Sequence, residues 1–233
     1  MNLFFLPPLI LQTFVYPLTW IALRFFTHLR IEGRDNVRGM KKGVIFAVNH
    51  SSELDVVLVP ATLPFLSPLM PMFYVSLENS LYQRPGEKSI SRYFYGGLLF
   101  RVWGAYPAAV GVGDYELALK HHLRILSHGK SVCIFPEGRV TRDGTLGEGK
   151  AGVAYLLWRT GVPIVPVAIS GNYKMTFRGF FSRRRSVTVS YGTPILAADL
   201  FGPRSRDGVP PSQEELKGAA KVIMSRIREL WRP

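Results

Sequence analysis

The chain has 233 residues, with 29 Lys and Arg against 16 Asp and Glu, so its formal net charge is +13. Because 47% of the residues are hydrophobic, the composition excludes a disordered polypeptide, which combines high charge with low hydrophobicity. The length fits one domain with a substantial core. The excess positive charge indicates an anionic partner: a membrane, a phosphorylated substrate, an acidic protein or nucleic acid. A single cysteine, Cys133, excludes an intrachain disulfide framework.

The N-terminal segment is apolar, and residues 1–23 carry no charged side chain. A bilayer span takes about 20 apolar residues, but Pro17 would kink a helix that crosses it. Three arrangements fit: a kinked transmembrane span, a short helical pair in one leaflet, and a core helix of a soluble domain. Aromatic residues typical of a membrane interface flank Arg24, namely Trp20, Phe25 and Phe26. We therefore predict a membrane-associating segment over 1–26.

A basic stretch follows this segment. Residues 24–42 hold six basic side chains against two acidic ones, Glu32 and Asp35. The six are Arg24, Arg30, Arg34, Arg38, Lys41 and Lys42. Basic residues beside an apolar segment favour the cytoplasmic side of a membrane, where anionic headgroups attract each by about 1 kcal/mol. The rest of the chain is therefore expected on the cytoplasmic face of the inner or plasma membrane.

Strand-like and helix-like patterns alternate from residue 43 onwards. Short apolar runs predict strands at 43–48, 71–77, 105–110, 131–135, 162–170 and 186–192. Helical periodicity predicts helices at 113–128, 151–161 and 213–230, and 55–63 is either helical or extended. This alternation predicts a single α/β domain over 27–233, built on a mixed, largely parallel sheet flanked by helices.

Two polar loops follow predicted strands, at the sheet edge where ligands gather in such folds. The first, NHSSELD, places His50 five residues before Asp55. A histidine is a general base near neutral pH, and a carboxylate on its other ring nitrogen fixes the tautomer and stabilises the imidazolium. A loop that turns into a helix would bring Asp55 back to His50.

The second loop, FPEGR, follows the predicted strand 131–135. Gly138 permits close backbone approach to a ligand, and Arg139 offers a planar fork suited to phosphate oxygens. Glu137 is a charged group at the end of an apolar strand, where it needs a partner.

Three blocks in this order, NHSSELD, FPEGR and VPIVPVAISG, resemble the lysophospholipid acyltransferase family. Within that family the chain is similar to bacterial 1-acyl-sn-glycerol-3-phosphate acyltransferases, over roughly residues 20–195. The resemblance implies an α/β core beside an apolar N-terminal segment. It also implies that a fatty acyl group moves from acyl-CoA or acyl-carrier protein to the free hydroxyl of a lysophospholipid, converting lysophosphatidic acid to phosphatidic acid in phospholipid biosynthesis.

The resemblance also implies the roles of individual residues. His50 would be the general base and Asp55 its orienting partner. The block of Glu137, Gly138 and Arg139 would bind the acceptor phosphate, with Lys150 at a basic position that follows. No covalent acyl-enzyme is expected, and the sequence contains no G-x-S-x-G nucleophile elbow. No cofactor is implied beyond the acyl donor, which is a substrate.

One block departs from the family pattern. The family usually carries an arginine after a G-x-I/F-P-V block, but Gly104 to Pro107 has none after it, and the preceding arginine is Arg101. FPEGR also lacks the threonine common between Gly and Arg. Two alternatives therefore stay open beside lysophosphatidic acid. One is acylation of another lysolipid, such as a lyso-ornithine lipid, and the other is an inactive membrane-binding module with the same fold.

Two other kinds of site are not supported by the sequence. His121, His122 and His128 on one predicted helix lack cysteine or carboxylate partners at metal-ligand spacing, which indicates a solvated face and no metal site. Residues 174–185 combine five basic side chains with three phenylalanines. This pattern suits single-stranded nucleic acid or a membrane-facing loop. Beside an apolar N-terminus the membrane is favoured, and no nucleic-acid partner is expected.

Overall fold

The structure is a computed structural model that describes residues 3–76, 98–109, 113–175, 180–181, 186–202 and 208–232. The helices are α1 (Leu6–Phe26), α2 (Asp55–Thr62), α3 (Leu98–Trp103), α4 (Tyr115–Ala118), α5 (Lys120–Ser127), α6 (Gly152–Thr160), α7 (Ala197–Phe201) and α8 (Gln213–Leu230). The strands are β1 (His28–Glu32), β2 (Ile45–Val48), β3 (Met72–Ser76), β4 (Ala105–Pro107), β5 (Ser131–Ile134), β6 (Ile164–Ser170) and β7 (Ser186–Tyr191).

The described strands form one seven-stranded sheet in the order β1-β7-β6-β2-β5-β3-β4. All neighbouring pairs are parallel except β6 and β7, which are antiparallel. The predicted mixed, largely parallel sheet flanked by helices is therefore confirmed. Strand β2 lies between β5 and β6, so the loops that follow these strands share one edge of the sheet.

Side chains of each central strand alternate between two apolar layers, as the pleat of a strand requires. In β2, Ile45 and Ala47 enter the layer that contains residues of α5, α6 and α8. Phe46 and Val48 enter the opposite layer, which contains residues of α1 and α2. All four are fully buried, so both faces of the sheet are covered.

Helix α1 is one continuous helix of 21 residues that contains Pro17, so of the three arrangements that fit the sequence, the short helical pair is not the one found. It is the one helix among the described residues that is long and apolar enough to cross a membrane. Its buried side is tied to the domain by Gln12, which donates to the carbonyls of Met72 and Trp103 at 2.7 Å each. The Gln12 side chain also accepts from the Met72 N–H at 2.9 Å.

The opposite side of α1 is an exposed apolar face. It consists of side chains spaced by three or four residues, which places them on one side of a helix. They are Ile10, Phe14, Leu18, Ile21 and Phe25, with exposed fractions from 48% to 74%. Beyond the end of the helix, Phe181 packs on Phe26 with ring centroids 4.7 Å apart.

The structure differs from the sequence-based expectations at further described positions. Strand β1 lies inside the basic stretch 24–42, where no strand is predicted, and pairs with β7. The helix predicted over 113–128 is divided into α4 and α5 at Leu119. His122 is fully buried rather than solvated, and burial lowers its pKa to about 4.

Some positions of the predicted elements lie outside the described residues. They are positions 1 and 2 of the segment 1–26, position 77 of the strand predicted over 71–77, position 110 of the strand predicted over 105–110, and positions 176–179 and 182–185 of the basic and aromatic segment 174–185.

Candidate active site

The loop after β2 brings His50 and Asp55 into contact. Asp55 is the first residue of α2, and its N–H donates to the Ser52 carbonyl at 3.1 Å, which closes a turn. This turn directs the carboxylate back to His50, where Oδ2 lies 2.9 Å from Nδ1. The predicted contact between the two side chains is confirmed.

Asp55 is fully buried and surrounded by hydrogen-bond donors. Besides the imidazole, Oδ2 accepts from the N–H groups of Ser51 and Ser52, at 2.7 and 2.9 Å. The other oxygen, Oδ1, accepts from Asn172 Nδ2. Four donors on two oxygens are the environment that a buried carboxylate needs.

The imidazole of His50 is fixed on two sides. Its ring stacks on Phe135, with centroids 3.9 Å apart and planes 14° from parallel. Because Nδ1 faces a carboxylate, the neutral ring would carry its hydrogen on Nδ1 and leave a free lone pair on Nε2. The side chain is 16% exposed, so the ring is not fully enclosed by the protein.

Glu137, in the loop after β5, holds the backbone at His50. Its Oε1 accepts from the His50 N–H at 3.0 Å, and its Oε2 accepts from the Gly147 N–H at 2.8 Å. The same loop donates the Thr141 N–H to the His50 carbonyl at 2.8 Å. Both backbone groups of His50 are thus bonded to the loop after β5.

The other three predicted phosphate-binding residues lie on the same loop and the segment that follows. Gly138 has φ +70°, a backbone conformation that favours glycine, and a Cβ there would lie 2.7 Å from Lys150 Nζ, so the lysine side chain lies directly against this glycine. The Lys150 N–H donates to the Pro136 carbonyl at 2.8 Å, which fixes the base of its side chain. Arg139 and Lys150 are exposed, and no ion pair of either is found within the described ranges.

Two residues near the motifs do not join the site. Arg101 lies close to Tyr106 in β4, which is the outermost strand on its side of the sheet. Strand β4 is three strands, or about 14 Å, from β2. Cys133 is completely buried within β5, and burial raises the pKa of its thiol. A buried thiol of this kind is not a nucleophile.

Asn172 is the site residue that the motifs did not reveal. It lies two residues after the end of β6 and is 1% exposed. The available signal was its place directly after a buried strand, at the sheet edge where the two predicted loops lie. Its contact with Asp55 joins positions 117 residues apart in the chain, which spacing alone does not predict.

Comparison with known proteins identifies the family. The family model described as "Acyltransferase" matches residues 28–170, which is more than half of the chain. A chloroplastic 1-acyl-sn-glycerol-3-phosphate acyltransferase of Arabidopsis thaliana is 27% identical over 163 residues, covering 66% of this chain and 39% of the relative. A 1-acyl-sn-glycerol-3-phosphate acyltransferase of Limnanthes douglasii is 27% identical over 173 residues, covering 73% and 56%.

A protein named taffazin from Dictyostelium discoideum is 27% identical over 168 residues, covering 66% of this chain and 56% of the relative. The chain thus spans between 39% and 56% of the length of these three relatives. Among solved structures, the 1-acyl-sn-glycerophosphate acyltransferase PlsC from Thermotoga maritima matches with a TM-score of 0.59 at 21% identity, covering 95% of this chain and 79% of that one. This match shows a shared fold, and with the family model it leads to one conclusion: the chain belongs to the acyltransferase family.

Proposed function

We propose that the protein transfers a fatty acyl group from a thioester donor to the free hydroxyl of lysophosphatidic acid, giving phosphatidic acid. The observation that carries this proposal is the His50–Asp55 pair, in which the carboxylate is fully buried and the imidazole side chain is partly exposed. The named activities of the plant relatives, 1-acyl-sn-glycerol-3-phosphate acyltransferases, support the choice of acceptor.

His50 acts as the general base in this reaction. Nε2 removes the proton of the acceptor hydroxyl, and the oxygen forms a bond to the thioester carbonyl carbon. When the tetrahedral intermediate collapses, the carbon–sulfur bond breaks and the thiolate takes the proton back from Nε2. Asp55 orients the ring and stabilises the imidazolium between these two transfers. No acyl group becomes attached to the protein.

The acceptor phosphate is bound by Arg139 and Lys150, with Gly138 allowing close approach. Both side chains are exposed and lie on the loop after β5 and the segment that follows it. Two cations placed in this way suit a dianionic phosphate monoester. Glu137 has a different part in this proposal, because both of its oxygens already accept backbone N–H groups. A carboxylate in that state repels a phosphate, so Glu137 positions His50 rather than binding substrate.

The enzyme works on a membrane surface, with α1 in the plane of the interface. Spanning the bilayer would require burying α1 in lipid, but the hydrogen bonds of Gln12 hold one side of α1 on the domain. The exposed apolar face lies on the other side. Arg24, His28 and Arg30 line a cleft at the end of this helix, where cations meet anionic headgroups. The cytoplasmic face of the inner or plasma membrane is the expected location.

The deciding experiment measures acyl transfer by the full chain and by His50→Ala, with vesicles containing lysophosphatidic acid. Removing the base is expected to lower kcat by at least about 1,000-fold while vesicle binding is unchanged. Equal rates in the two proteins would overturn the mechanism. Running the assay with acyl-CoA and with acyl-carrier protein identifies the donor.

The same assay separates the alternative acceptors. A lyso-ornithine lipid is acylated in place of lysophosphatidic acid if the arginine missing after Pro107 removes phosphate recognition. A wild-type protein that binds vesicles but acylates no lysolipid would be the inactive module.

A further inference from the structure

Asn172 makes two hydrogen bonds that together determine its orientation. Its Nδ2 donates to Asp55 Oδ1, and its Oδ1 accepts from the Ser51 hydroxyl at 2.7 Å. The reverse orientation of the amide would place its oxygen against the Asp55 carboxylate, which is repulsive. Ser51 therefore keeps the NH₂ group of Asn172 directed at Asp55.

The contact with Asn172 holds the Asp55 oxygen that the other three donors do not reach. The donors from His50, Ser51 and Ser52 all meet a single oxygen, Oδ2. Oδ2 lies off the axis of the Cβ–Cγ bond, so turning the carboxylate plane about that bond would strain its three hydrogen bonds. The donor on Oδ1 opposes the same turn from the other oxygen, so the lone pair of Oδ2 stays directed at the imidazole Nδ1–H.

The loop that carries Asn172 is also attached to the loop after β5. The next residue, Tyr173, donates its hydroxyl to the Arg142 carbonyl at 2.5 Å. Its ring also packs on Gly144, where a Cβ would lie 2.7 Å from the ring. Asn172 is thus supported on both sides, by β6 and by a neighbour that is anchored in the second loop.

We infer that Asn172 is a positioning residue of the acyl transfer, which acts through Asp55 on the direction of the His50 base. This inference rests on the proposed function. Asn172 contacts no reacting atom in this arrangement, so its loss changes the rate of the chemical step and leaves substrate binding alone.

The test is steady-state kinetics of Asn172→Ala with lysophosphatidic acid and the preferred thioester donor. The expected result is a kcat about 10- to 100-fold lower, the range that follows from losing one hydrogen bond to a buried charge. KM for both substrates should stay within about threefold of wild type, because uniform binding is untouched. Asn36→Ala is the matched control. It removes an amide that donates to the Tyr191 carbonyl at 2.9 Å, outside the site, and should keep kcat.

Ser51→Ala provides a milder variant that keeps Asn172 in place. It frees the amide to rotate and should lower kcat by about two- to fivefold. An Asn172→Ala effect on KM alone, or an unchanged kcat in both variants, would overturn the inference.

A double-mutant cycle with Asp55→Ala distinguishes positioning from general loosening of the fold. If Asn172 acts through Asp55, then Asn172→Ala has no further effect on kcat in the Asp55→Ala background. An equal fold loss in both backgrounds contradicts the inference. The proposed function fails independently, and visibly, if wild type and His50→Ala acylate at the same rate.

Discussion

The two loops at the sheet edge differ in how their charged groups are held. In the loop after β2, Asp55 is fully buried and accepts four hydrogen bonds. In the loop after β5, Arg139 and Lys150 are exposed, and neither has an ion-pair partner in the parts of the chain that the structure describes. In the proposed mechanism, the group that orients the base is thus held in place by the protein alone, whereas the cations proposed to bind the phosphate are exposed to solvent.

Glu137 belongs to the second loop by sequence and to the first by its contacts. Glu137 is 7% exposed, and its carboxylate is bonded to the backbone of His50 and Gly147. We therefore expect burial, rather than the motif in which a residue lies, to separate the residues that orient His50 from those that bind substrate. Substitutions of buried and of exposed residues test this expectation.

Glu137→Gln should have the largest effect of the variants that break this contrast. The amide of Gln has one acceptor oxygen, and an NH₂ group stands in place of the second acceptor oxygen. That NH₂ group would face the N–H of His50 or of Gly147 and leave it without an acceptor. We expect kcat to fall about 100-fold, because a buried unpaired donor is costly, with little change in KM for lysophosphatidic acid.

Glu148→Gln is the control for this variant, because it makes the same change in charge at an exposed residue next to Gly147. A Glu137→Gln enzyme with a raised KM and a normal kcat would return Glu137 to the phosphate site that the sequence predicts.

Arg139→Gln and Lys150→Gln should have intermediate effects of the opposite kind. Each removes one charged donor to the phosphate, and we expect KM for lysophosphatidic acid to rise about 10- to 30-fold with kcat nearly unchanged. Arg142→Gln, an exposed arginine of the same loop, should change KM by less than about twofold. If Arg142→Gln costs as much as Arg139→Gln, the loop acts by its total charge and not through defined contacts.

Helix α1 also has one side bonded to the domain and one side exposed, but its exposed side is apolar rather than charged. Phe14→Ser on this exposed face should weaken partition into anionic vesicles about five- to tenfold, because an aromatic ring that would be partly buried in the membrane interface is lost. The kcat for lysophosphatidic acid in detergent micelles should be unchanged. Flotation of vesicles measures the partition, with Leu117→Ser, an exposed apolar residue of α4, as the control. Equal partition of wild type and Phe14→Ser would leave the basic surface as the membrane contact.

Local pattern predicts structure best where neighbouring residues decide it. The apolar period of α8 predicts the bounds 213–230 that the structure shows. In the structure a capping box between Ser212 and Glu215 begins the helix there. The contact of His50 with Asp55 was predicted for the same reason, since a single turn separates them.

Features that depend on distant contacts were not predicted. In β1, Leu29 and Ile31 alternate with charged and polar residues, so the sequence pattern does not mark them as core residues. Both pack against a core supplied mostly by later parts of the chain. The Nε2 atom of His122 lies 3.3 Å from the carbonyl oxygen of Tyr74 in β3. The polar pattern of its helix does not predict this contact. The bonds of Glu137 to His50 and of Asn172 to Asp55 span 87 and 117 residues. Chain topology, not spacing, creates them.

The four donors around Asp55 bear on the path of the proton in the proposed mechanism. Oδ2 accepts three hydrogen bonds, one of them from the imidazole, and Oδ1 accepts one. In that mechanism the proton taken from a hydroxyl stays on the imidazole and returns to the departing sulfur from the same nitrogen. The proposed site would therefore use the ring as its single proton carrier, with substrate on the Nε2 side because Asp55 occupies the Nδ1 side.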